Sequence, residues 1–89
     1  MRYRFRIKGL VQGIGYRDFV RQSARQYHLT GWVRNCSNGD VESEIQGSKE
    51  TLKEFMETMK TGHEWARVNR IINEELPEKS NEEGFEILF

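Results

Sequence analysis

The stretch Leu29–Gly47, LTGWVRNCSNGDVESEIQG, reads as two short strands joined by a tight turn. Asn38 and Gly39 can supply the positive φ angles that a hairpin turn needs. Past the turn, Val41, Ser43 and Ile45 alternate with Glu42, Glu44 and Gln46, the period of a strand with one buried face. This hairpin decides the fold, because a strand and a helix precede it and a helix and a strand follow it.

Upstream, Tyr3, Phe5 and Ile7 alternate with Arg2, Arg4, Arg6 and Lys8, which predicts a half-buried first strand over Arg2–Lys8. From Asp18 to His28 the residues Phe19, Val20, Ala24 and Tyr27 share one helical face, opposite Arg21, Gln22, Arg25 and Gln26. Asp18 suits the positive end of that helix's dipole.

Downstream, Leu52, Phe55, Met56 and Met59 recur at helical spacing, with Ser48 as an N-cap and Gly62 as the stop. Ala66–Leu76 predicts a further strand, in which the adjacent Ile71 and Ile72 mark a bulge or a change of face. Pro77–Gly84 is polar and carries the only proline, so an exposed loop is expected there. Phe85, Ile87 and Phe89 alternate in a short closing strand.

The order is therefore strand, helix, strand, strand, helix, strand, with a short strand at the end. A right-handed crossover leaves room between the first two parallel strands, and the hairpin partner fills it. The expectation is a single α+β domain over residues 1–89, a ferredoxin-like βαββαβ sandwich with an antiparallel sheet and both helices on one face.

The totals narrow the function. At 89 residues the chain buries roughly 60–65% of its unfolded surface, enough for one core. The 14 basic and 14 acidic residues cancel, which argues against nucleic acid or an anionic membrane as the main partner. The single cysteine, Cys36, cannot staple the fold, and the N-terminus has no continuous apolar run, so a cytoplasmic location is expected.

Val11–Phe19, VQGIGYRDF, lies between the first strand and the first helix. Glycine at alternate positions lets the backbone curl and turn successive N–H groups toward one point, where they merge with the free N–H groups of the helix. Such a concavity attracts anions, and Arg17 adds a planar fork of donors. Alone, the pattern fits ordinary turn punctuation as well as an anion cradle. It is neither a dinucleotide fingerprint nor an NTPase loop. The crossover places this loop and Asn35, near the end of the second strand, on the same edge of the sheet.

GLVQGIGYRDFV together with LTGWVRNCSNGDVESEIQG resembles the two signature regions of the acylphosphatase family, and the likeness runs on to the EGFEI ending. Tyr16 stands where phenylalanine is usual and Ile14 where valine is usual. The GHEWARV region lacks a frequent proline. The resemblance implies an enzyme that hydrolyses acyl phosphates to a carboxylate and inorganic phosphate, working as a monomer. By motif position, Arg17 binds the phosphoryl group together with the loop amides of Gln12, Gly13, Ile14, Gly15 and Tyr16. Asn35 holds the attacking water. No cofactor and no metal is implied, and inorganic phosphate is expected as product and competitive inhibitor.

Two other readings share the fold. An RNA-binding module would expose aromatic residues on its central strands, whereas Tyr3 and Phe5 fall on the helix-covered face. A noncatalytic acyl-phosphate-binding or regulatory domain would sit inside a larger maturation protein, whereas this chain is expected to be free-standing. His28 and His63 are read as structural or merely exposed. Cys36 is a bystander on the opposite face from Asn35, with no charged partner evident. Trp32 and Trp65 are read as packing residues. Asp40, Glu42 and Glu44 are not read as a catalytic or metal-binding set, and Glu42 and Glu44 are expected to face Arg4, Arg6 or Lys8 across strands.

Overall fold

The computed structural model describes every residue from Met1 to Phe89. In chain order the elements are β1 (Arg2–Leu10), α1 (Tyr16–Gln26), β2 (Thr30–Asn35), β3 (Val41–Gln46), α2 (Lys49–Thr61), β4 (Arg67–Leu76) and β5 (Phe85–Ile87). The strands form one sheet in the order β4-β1-β3-β2-β5. β3 lies between β1 and β2 and is antiparallel to both, so β1 and β2 run parallel and end at the same edge. The expected ferredoxin-like architecture is present. Its sheet is mixed rather than purely antiparallel, because β5 pairs parallel to β2 at the outer edge.

One apolar layer holds the fold together. Phe5 and Ile7 of β1, Val33 of β2, Ile45 of β3 and Phe85 of β5 pack against Val20 and Ala24 of α1 and Leu52, Phe55 and Met59 of α2. Each such side chain contributes about 1.5–3 kcal/mol on full burial. α2 starts and stops as expected: the Ser48 hydroxyl accepts from the Thr51 N–H at 3.2 Å, and the chain leaves the helix at Gly62.

α1 begins at Tyr16, before the expected Asp18, since Gly15 already accepts the first helical bond from the Phe19 N–H at 3.0 Å. It ends at Gln26 instead of His28. His28 adopts a left-handed conformation, φ 58°, and the Leu29 N–H folds back to the Ala24 carbonyl at 2.9 Å. The irregularity expected at Ile71 and Ile72 falls elsewhere. The register shifts between Lys8 and Gly9, which pair with Arg70 and Val68, leaving Asn69 as the extra residue. The closing strand stops at Ile87, so Phe89 lies outside it. Trp65 is not a packing residue; it stands exposed beside His63. His63 packs edge-on against Phe19 at 5.2 Å, a structural role as read.

The face away from the helices carries a ladder of opposite charges. The register sets Arg6 opposite Glu42 and Arg4 opposite Glu44, as the alternation predicts. Lys8 Nζ lies 2.8 Å from Asp40, and its hydrogen bond holds that carboxyl below the usual range. Burial alone would raise Glu42, but the hydrogen bond and charge of Arg34 with the charges of Arg6 and Arg4 hold it low. Trp32 on β2 lies beneath the Arg34 guanidinium, 5.5 Å from it.

Arg2 departs from this pattern. The sequence places it on the solvated side with Arg4, yet it is 1% exposed. Glu82, from the loop expected to be simply exposed, folds over it and accepts at both oxygens, 2.7 and 3.2 Å from Nη1 and Nη2. Glu44 takes its Nε at 2.9 Å and Gln46 its Nη1 at 3.2 Å. Removing one partner of a buried pair strands the other in low dielectric, whereas a half-exposed pair is screened. Arg2→Ala is expected to destabilise the protein by about 3 kcal/mol or more, and Arg4→Ala by less than about 1 kcal/mol. Urea midpoints of the two variants check the contrast.

Candidate active site

At the edge where β1 and β2 both end, residues of α1, β2 and β5, with the β1–α1 loop, line a cavity of about 160 Å³. Gln12, Gly13, Gly15 and Arg17 approach from the β1–α1 connection, Asn35 from β2, and Ile87 and Phe89 from the chain's last segment. The sequence-predicted loop and Asn35 are thus brought together across the crossover. Ile14 also belongs to this loop and is half-buried against the core.

The loop backbone is built to present donors. Gly13 and Gly15 have φ 77° and 75°, and a Cβ at either would meet nothing within 4 Å. Glycine is required there by the dihedral, not by crowding. Gly15 occupies the N-cap of α1 and offers no side-chain cap, unlike Ser48 at α2. Across residues 12–18, no backbone N–H reaches an acceptor in the protein. These free donors converge where the helix dipole is positive, which is the geometry of an anion site.

Arg17 sits in the first turn of α1 and forms no ion pair. Its neighbour Asp18 is turned away to Arg21 and to Gln22, whose Nε2 donates at 2.7 Å. The Arg17 guanidinium instead lies 5.1 Å from the centre of the Phe89 ring, which covers one face of its plane and leaves the edge donors free. Phe89 was expected only as a strand residue. An isolated terminal aromatic carries no signal of this contact.

Asn35 follows Val33 by two residues and so shares its side of the sheet, facing the loop. Its Oδ1 is buried and has no hydrogen-bond partner in the protein. An amide oxygen in that state can accept from a water, and its nitrogen can donate at the same time. Cys36 points to the other face, as the alternation predicts, but a cation does stand beside it. The Arg6 guanidinium is raised above its ordinary value first by Cys36 and then by Glu42 and Asp40, against a lowering by desolvation.

Two further residues fix the geometry. The Gln12 Nε2 donates to the carbonyls of Cys36 and Asp40, both at 2.8 Å. One carboxamide thereby ties the start of the loop to the turn immediately after Asn35. Sequence reading assigned Gln12 only its backbone amide; a long amide before two spaced glycines does not reveal what its side chain will reach. Tyr16, the departure from phenylalanine, donates its hydroxyl to the Met59 carbonyl at 2.7 Å and anchors the loop to α2. Burial pushes its phenol well up.

Tyr16→Phe is expected to lower stability by about 1 kcal/mol, read as a shifted urea midpoint with the same slope, while turnover stays within a factor of about two. Gln12→Ala, by loosening the span between loop and Asn35, is expected to reduce kcat about tenfold or more. Inhibition by inorganic phosphate should weaken much less.

Comparison with known proteins identifies the chain's relatives. The family model described as Acylphosphatase matches residues 3–87. The acylphosphatase of Geobacillus kaustophilus is 40% identical over 83 residues, spanning 93% of this chain and 88% of the relative. The crystal structure of an acylphosphatase from Bacillus subtilis superimposes with a TM-score of 0.93 at 34% identity, covering 99% of this chain and 98% of that one. A HypF from T. kodakarensis matches with a TM-score of 0.87 at 28% identity, over 100% of this chain but only 12% of its own.

Proposed function

Because the chain belongs to the acylphosphatase family, whose members act on acid anhydrides, we propose that it hydrolyses acyl phosphates with the loop and Arg17 binding the phosphoryl group and Asn35 aiming the water. The observation that carries this division of labour is the single cavity shared by the unpaired N–H groups, an unpaired guanidinium and the orphaned Asn35 oxygen.

The chemistry needs little else. Water attacks phosphorus, the bond from phosphorus to the acyl oxygen breaks, and the products are a carboxylate and inorganic phosphate. The leaving carboxylate is a weak base, with a reference pKa near ~4, so it departs without a general acid. In a loose transition state the charge spreads over the equatorial phosphoryl oxygens, where fixed N–H donors and the Arg17 fork stabilise it. Asn35 accepts from the water and holds it in line, and the water's proton passes to the phosphoryl oxygens of the substrate itself.

Phosphate, which fits the same cradle, acts as product and competitive inhibitor. The full constellation comes from one chain, consistent with a monomer and with residues 1–89 acting as one domain. No helix is long and apolar enough to cross a membrane. The lone cysteine, which no disulfide engages, favours the reducing cytoplasm as the working compartment.

Both Arg17→Ala and Asn35→Ala are expected to lower turnover of benzoyl phosphate at least about 10²-fold, assayed with a chelator present. Arg17→Ala should also abolish inhibition by inorganic phosphate, while Asn35→Ala should leave it nearly intact. Equal loss of phosphate binding in the two variants would refute the assignment of roles.

A further inference from the structure

A second cavity of about 160 Å³ opens between α2 and the β1–β4 pair. Tyr3 and Phe5 of β1, Leu52 and Met56 of α2 and Asn73 of β4 form its walls, with Lys49 and Lys53 at its rim. It is separate from the phosphate cradle: Tyr3 and Val11 stand at opposite ends of β1, roughly 25 Å apart at ~3.3 Å per residue.

The slot has the size and lining of a ring site. An apolar cavity of about 150 Å³ in another protein stays dry and takes up benzene. Phe5 and Leu52 are buried at its base, and the partly buried Tyr3 and Met56 flank them. The Asn73 amide in its wall donates to nothing better than the Met56 sulfur at 3.9 Å.

The charges at the rim run against the needs of the helix. Lys49 is the first helical residue of α2, where the dipole disfavours a cation. Lys53 lies four residues on, a like-charge spacing that also disfavours the helix. Glu50 and Glu57 stand at pairing distance along the helix from Lys53, yet neither lysine forms an ion pair, and Glu57 pairs with Lys60 instead. Two unpartnered cations beside a ring-sized apolar slot are complementary to one kind of small molecule.

We propose that this slot binds a small aromatic or branched carboxylate, its ring or tail between Phe5, Leu52 and Met56 and its carboxylate between Lys49 and Lys53. Asn73 donates the remaining hydrogen bond to the carboxylate. The assignment does not depend on the reaction proposed for the other cavity.

Amide NMR titration of the whole protein with sodium benzoate at constant ionic strength, in saturating inorganic phosphate, tests it. Shifts should centre on Tyr3, Leu52, Lys53, Met56 and Asn73 and leave Gly13–Arg17 unmoved. The Lys49→Gln/Lys53→Gln double variant, altered only at exposed side chains, should bind benzoate about fivefold more weakly while its affinity for neutral phenol is unchanged. Met56→Trp, which fills the slot, should abolish both. Benzoate shifts confined to Gly13–Arg17, no saturable shifts at all, or equal benzoate affinity in the double-lysine variant would each overturn the proposal.

Discussion

The proposed phosphoryl site depends on a helix that begins without a side-chain cap. The first turn of α1 leaves its N–H groups unpaired, and Gly13 and Gly15 bend the preceding backbone so that its own N–H groups join them. Donors on the main chain cannot swing away as a lysine can. Their positions follow from the backbone that joins the sheet edge to α1, and the bond of Tyr16 to α2 adds stability to that arrangement. A small fold thus provides a concavity of main-chain donors with Arg17 as its one cation.

The two faces of the sheet divide the remaining work. The helix-covered face supplies cohesion through apolar burial, and its alternation also delivers Asn35 to the loop. The open face supplies register: charges on β1 and β3 stand opposite one another in sequence, and a one-residue slip would set each beside a wrong neighbour. That ladder also explains why so many charged residues leave no net charge and no basic patch. Arg4, Arg6, Lys8 and Arg34 are all engaged with Asp40, Glu42 or Glu44.

What the sequence disclosed follows the range of the forces involved. Period-two alternation and the Ser48 cap are local, and each element they mark is present; in the hairpin connection only Gly39, φ 98°, takes the positive angle expected of both Asn38 and Gly39, because five residues rather than two join β2 to β3. The pairing of Arg17 with Asn35 was legible because one topological rule, the parallel crossover, carries two distant motifs to one edge. Contacts that no such rule links to local pattern stayed hidden: Gln12 reaching the turn after Asn35, Phe89 lying against Arg17, and Glu82 closing over Arg2. Helix ends were misplaced by a turn or less, because left-handed residues such as His28 end a helix without a periodic signal.

The tie between Arg2 and Glu82 spans 80 positions of sequence. Closing so wide a ring adds entropy slowly, only ~0.6 kcal/mol per doubling of its length, but the ring cannot close before both ends exist. Arg2 can meet Glu44 and Gln46 once β3 exists, but its two bonds to Glu82 must await the segment beyond β4, so the seal over the buried guanidinium is the last part of this network that the growing chain can complete.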